Sequence, residues 1–343
     1  MNNQKRLAEL DWLKSLALLL LVFVHSILYF SFPSIIYPVE WFMLSTFFFI
    51  SGFLTFNSFK RRGLSIRGFF KSKFKSIYLP FLVGAILFFV IGTATGMTNA
   101  DPLSLVFHGL SLNIFNRFNS GVYNLDYLWF IPLLLVFMLI ACLLEQHFKN
   151  VKVQVITISA MWLLSLLAWV YNSPLKLDWN FSQYFLVFMI GFWLSKSGKY
   201  ESVLKPKMAL VIAPIFAFFS LNLSNLFAFS SALETTKYLL YFHGRSILLS
   251  LSAILLVLIL LKKLKAPHNQ FIKMVAETSL FIYLLEPLLS TALGYWVFSS
   301  SMLYSVNGLA FYPYQIMRIS FLFFLIPILA KSFRQGLISP LPP

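Results

Sequence analysis

The chain has 343 residues, of which 59% are hydrophobic and only 11% charged, where soluble domains carry about 25% charged residues. That balance excludes a soluble globular protein and predicts an all-α polytopic integral membrane protein, read as a single domain over residues 1–343. The net charge of +16 implies no nucleic-acid partner, because the cations gather in the loops of one side of the predicted spans.

The first apolar run, Leu10 to Phe32, is long enough to cross a bilayer, since about 20 apolar residues span the hydrocarbon core. It is not expected to be a cleaved signal peptide, because it is too long, contains Lys14 and is followed by no small-residue cleavage site. Asp11, Lys14 and His25 share one face at ~100° per residue, and the step from Lys14 to His25 climbs roughly 16 Å. A polar stripe therefore runs from the membrane surface towards mid-bilayer, and function is the default reading of such a stripe.

Further spans are expected at 38–57, 75–95, 127–145, 151–171, 181–196, 207–224, 238–261, 272–297 and 309–332, making ten with the first. An even number puts both termini on one side. All of the 27 Lys and Arg except Arg117, Lys176, Lys237, Arg245 and Arg318 fall at the termini or in the loops of that same side. The positive-inside rule makes that side cytoplasmic. The lone Cys142 lies in an apolar run, excludes an internal disulfide framework and reads as a small buried residue. The five histidines are far apart and on both sides of the membrane, so no metal site is predicted.

The loop after the second span is the most basic place in the chain, with Lys60, Arg61, Arg62, Arg67, Lys71, Lys73 and Lys75. Arg67, Lys71 and Lys75 are four apart and would align on one face of a helix. One reading is topology fixation with attraction to anionic membrane lipids. The sharper one is a site for a polyphosphate ligand, since clustered cations answer clustered phosphates.

Charges also lie deep in two later spans. Glu286 is thirteen residues beyond Lys273, and Arg318 thirteen before Lys331, which puts both roughly 20 Å from the cytoplasmic boundary. His25 lies at a similar height, so the three are expected around one polar cavity, with Glu286 and Arg318 as a candidate ion pair. His243 and Arg245, near the outer end of the eighth span, are expected at the interface, with the arginine snorkelling.

Five stretches carry a family resemblance. LDWLKSLALLLLVFVHS (Leu10–Ser26), FFFISGFL (Phe47–Leu54), KSKFKSIYLPF (Lys71–Phe81), YLWFIPLL (Tyr127–Leu134) and SLFIYLLEPLL (Ser279–Leu289) resemble, in this order, motifs of the membrane-bound acyltransferase 3 family, which includes the fucose 4-O-acetylase-like proteins. Lys14 stands where the family has arginine, Lys73 and Ser76 where it has two arginines, and Tyr127 and Glu286 where it has histidines.

The resemblance implies a membrane O-acyltransferase that moves an acyl group, normally acetyl, from cytoplasmic acyl-coenzyme A to a hydroxyl of a cell-surface or lipid-linked glycan, in the plasma membrane. His25 would accept the hydroxyl proton or carry the acyl group. Glu286 would orient His25, bond a sugar hydroxyl or hold Arg318. Lys14, Arg67, Lys71, Lys73 and Lys75 would take the donor's phosphates, and Tyr127, Trp129 and Arg318 would face the acceptor. No permanently bound cofactor is expected, acyl-coenzyme A being a substrate. The alternative is a glycan or amphiphile transporter or flippase that uses the polar cavity without covalent chemistry.

Overall fold

The computed structural model describes residues 7–24, 33–63, 65–94, 102, 128–170, 179–221, 232–297 and 319–328. Among them there are helices and no strands. In chain order these are α1 (Ala8–Phe23), α2 (Pro33–Arg61), α3 (Ile66–Lys73), α4 (Leu79–Ala94), α5 (Phe130–His147), α6 (Val151–Val170), α7 (Trp179–Ser197), the short α8 (Tyr200–Val203), α9 (Ala209–Leu221), α10 (Ala232–Lys263) and α11 (Gln270–Val297). Helix is present in each of the ten ranges expected to span. Among the described residues four segments are long and apolar enough to cross a membrane: Val39–Arg61, Ile66–Ala94, Phe130–His147 and His243–Lys263.

Local chemistry sets the ends. The Ser65 hydroxyl accepts from the Gly68 N–H at 3.2 Å and caps α3. The Asn269 side chain accepts from the N–H groups of Phe271 (2.8 Å) and Ile272 (3.2 Å) and caps α11. Gly198 closes α7 at φ +65°, in the left-handed region that favours glycine. Between α3 and α4 the helix continues through a π-helical turn, Phe74–Tyr78. Its cause lies just beyond it. Pro80 has no N–H, and its ring would meet the Ser76 carbonyl in a regular α-helix, so the turn widens. The same pairing recurs where the π-helical turn Phe321–Leu325 precedes Pro327.

The chain forms two compact units, Met1–Val39 with Lys265–Pro343, and Glu40–Leu264. In the first, α1 packs along α11, and α11 also packs against the turn at Phe321–Leu325. In the second, α7 is the hub, packing on α5, α6 and α10. Phe181, Tyr184, Phe185, Val187, Phe188, Met189 and Phe192 are all buried on it, and a helix apolar all round belongs in a core. α2 meets α7 at a reciprocal glycine contact. A Cβ at Gly52 would lie 2.0 Å from the Phe188 carbonyl oxygen, and one at Gly191 would lie 2.1 Å from that of Phe49. Two hydrogens at the crossing let the backbones touch, the usual use of small residues between membrane helices. Cys142 is buried, as its apolar surroundings predict.

Candidate functional site

In the unit that pairs α1 with α11, the two helices are joined by side chain to backbone bonds. Trp12 Nε1 donates to the Pro267 carbonyl at 3.0 Å, Ser15 Oγ to that of Ile272 at 3.3 Å, and Lys14 Nζ to that of Ala276 at 2.8 Å. From Trp12 to Ser15 the bonded carbonyls advance from Pro267 to Ile272, so α1 and α11 run parallel, the relation expected of the first and ninth spans, and the longer Lys14 side chain reaches a turn further, to Ala276. The half-buried Lys14 side chain is thus tied to α11 at Ala276.

Glu286 lies on α11 just before Pro287 and is 2% exposed. It sits ten residues beyond Ala276, about 15 Å along the helix at 1.5 Å per residue, so Lys14 and Glu286 occupy different levels of one helix pair. At the lower end of the pair a polar cleft of about 320 Å³ is lined by Asp11, Trp12, His268, Asn269 and Lys273. A second cavity shares Trp12 and Ile272 with it and, apart from Ser15, is otherwise walled by apolar residues including Leu16, Leu19, Val275 and Phe323.

In the other unit, Arg67, Lys71, Lys73 and Lys75 lie on the continuous helix that runs from Ile66 through the π-helical turn into α4. Their surroundings differ. Arg67, Lys71 and Lys75 are exposed, while Lys73 is half-buried with its ammonium 5.2 Å from the centroid of the buried Phe69 ring. Arg62 braces the same segment. Its guanidinium donates to Ser58 Oγ at 2.9 Å, to the Ser58 carbonyl at 3.1 Å and to Ser72 Oγ at 2.6 Å, tying α3 to the end of α2.

Trp129 stands at the start of α5 in an aromatic group. Its ring centroid is 5.9 Å from that of Tyr184, stacked, and 6.3 Å from those of Phe48 and Phe130. Phe48 in turn lies 5.0 Å from Tyr184 and 5.1 Å from Phe137. Rings from α2, α5 and α7 thus hold the Trp129 indole in one orientation. His25, Tyr127 and Arg318 lie outside the described residues.

Two features were not foreseen from sequence. His243 and Arg245, expected at the interface, are buried at 0% and 1% exposure. A snorkelling arginine keeps its head in water, so Arg245 belongs instead to the buried ionisable groups of its unit. The second feature is a polar network among α5, α6 and α7. Glu145 Oε2 accepts from Lys196 Nζ at 2.6 Å and from Gln154 Nε2 at 2.9 Å, and Gln154 Oε1 accepts from Trp193 Nε1 at 2.8 Å. Its members lie on three helices, so no local pattern announces it.

Comparison with known proteins bears on the chemistry. The family model of the acyltransferase 3 family, described as an acyltransferase domain, matches residues 7–333. The comparisons with curated proteins and with solved structures found no match. The family match runs from the start of α1 past the last described helix and takes in both units, so the chain belongs to the acyltransferase 3 family and is a membrane acyltransferase.

Proposed function

We propose that this membrane acyltransferase moves an acetyl group from cytoplasmic acetyl-coenzyme A to a hydroxyl of a cell-surface or lipid-linked glycan, in the plasma membrane and with both termini cytoplasmic. The acceptor oxygen attacks the thioester carbonyl carbon while the imidazole of His25 takes the hydroxyl proton. The carbon–sulfur bond breaks, and coenzyme A leaves as the thiolate that recovers that proton. General-base catalysis of this kind contributes typically 10²–10⁴-fold. Lys73 contributes positive charge to binding of the donor's phosphates. The Trp129 indole offers a fixed apolar face to a sugar ring, and Glu286 is a buried acceptor for a hydroxyl or for an imidazole N–H.

The observation that carries this reading is the match over residues 7–333. It is supported by the pairing of α1, with Lys14 at the family's first-helix motif, with α11, which carries Glu286. His25 is ten residues beyond Ser15, and Glu286 fourteen beyond Ile272, the carbonyl that Ser15 bonds. For Glu286, on α11, that step is about 21 Å at 1.5 Å per residue.

The test is binding of acetyl-coenzyme A to the purified chain in detergent, beside Lys73→Ala and His25→Ala, followed by transfer of a labelled acetyl group to envelope glycans. Saturable binding that weakens in Lys73→Ala and persists in His25→Ala, with transfer lost in His25→Ala by 10²-fold or more, is the expected result. No binding by protein shown to be folded would overturn the donor assignment. It would favour the polar residues of these spans as a transport site for a glycan or amphiphile.

A further inference from the structure

We propose that the outward face of the helix Ile66–Ala94 is a binding site for one anionic phospholipid, its phosphate on Arg67, Lys71 and Lys75 and its acyl chains along α4. The three cations are exposed and four residues apart. Beyond them the same helix turns to lipid-compatible chemistry: Leu79, Val83, Ile86, Leu87 and Val90 are exposed by 42–55%. Their neighbours Phe81, Gly84, Ala85 and Phe88 are buried, so one side of the helix packs on the protein and the other is bare. Phe74, 51% exposed, sits among the cations, between Lys71 and Lys75, and adds an exposed apolar surface at the charged end.

The π-helical turn is what makes these parts one face. In a regular α-helix each four-residue step drifts by about 40°, so a stripe that began at Arg67 would wander far around the helix before Leu87. The wider turn at Phe74–Tyr78 sets the drift back, and the exposed positions stay in line from the charged end to Val90. Lys73 is excluded from this face, since its ammonium lies over the buried Phe69 ring. The site therefore leaves the cation assigned to the donor untouched, and it does not depend on the acyl-transfer reading.

A soluble polyphosphate would meet the same three cations but could not use the apolar stripe, so the proposal commits to a membrane lipid. Each cation held near an anionic headgroup is worth about fivefold in affinity. The experiment uses the full chain in phosphatidylcholine nanodiscs titrated with phosphatidylglycerol, with retained lipid read by native mass spectrometry and stability by thermal unfolding. The variants are Arg67→Gln/Lys71→Gln/Lys75→Gln and, as a charge-matched control, Lys149→Gln/Lys152→Gln/Lys205→Gln, whose residues are exposed elsewhere.

Wild type and control are expected to retain phosphatidylglycerol and gain thermal stability from it. The first variant is expected to bind it at least tenfold more weakly, while unfolding like wild type in phosphatidylcholine alone. Equal losses in the two variants would reduce the effect to bulk charge and overturn the proposal. So would displacement of bound phosphatidylglycerol by millimolar pyrophosphate. Should the triple variant misfold, Lys71→Gln alone tests the same point. A loss of about fivefold is expected, and an unchanged affinity refutes the site.

Discussion

The crossing of α2 and α7 gives the sharpest stability prediction. Adding one methyl by Gly52→Ala puts a carbon 2.0 Å from the Phe188 carbonyl oxygen, where ordinary contact begins at 3.4 Å. The obstacle is backbone, so no side chain can swing away, and the helices must part by about 1 Å or more. A gap of that size forfeits a quarter to a half of each dispersion contact across it. The contacts at risk include Phe56 on Phe192 at 5.3 Å and Phe48 on Tyr184 at 5.0 Å between ring centroids.

Overpacking alone costs about 1–3 kcal/mol, and with the lost aromatic packing the expected total is ~3–5 kcal/mol. Gly191→Ala should cost about the same. The double variant should cost little more than either single one, because one displacement makes room for both methyls. Gly244→Ala is the control: no atom lies within 4 Å of a Cβ there, and alanine should be neutral or stabilising by up to about 1 kcal/mol. Unfolding in detergent, followed by intrinsic fluorescence, measures all four. A Gly52→Ala protein as stable as wild type, or strictly additive losses in the double variant, would refute the close-contact account.

Glu145→Gln should destabilise the chain by about 2–3 kcal/mol. That is below the 3–5 kcal/mol of a fully buried broken pair, because the Lys196 side chain is still 16% exposed. A double-mutant cycle with Lys196→Met should recover most of that loss as coupling energy, and a coupling near zero would show the pair to be ornamental. Lys14→Met should cost about 1–2 kcal/mol through the lost bond to Ala276, whereas Lys14→Arg should retain both stability and transfer. If Lys14→Met unfolds like wild type and only donor binding falls, its anchoring role is refuted.

What the sequence determined by itself follows from chemistry that is local or periodic. The cost of exposing backbone to hydrocarbon turns long apolar runs into helices, and among the described residues helix is found in each of the ten ranges, four segments being long and apolar enough to cross a membrane. Cys142 was legible as a buried apolar residue. The ordered motifs from Leu10 to Leu289 carried the family, which the match over residues 7–333 bears out.

The tertiary structure alone decided which polar groups meet. Lys14 and Ala276 are 262 positions apart, and Glu145 and Lys196 are 51 apart; neither contact leaves a trace in any window of sequence. Burial of His243 and Arg245 depended on which helices cover α10, which hydropathy does not state. The division of the basic segment is the clearest case. Spacing alone aligned Arg67, Lys71 and Lys75 on one helix face, but only the docking of Phe69 into the core shows that this face points out and that Lys73, two residues from Lys71, lies on the inner side. Sequence spacing supplies the charges; the side on which each one lands is set by backbone geometry and packing.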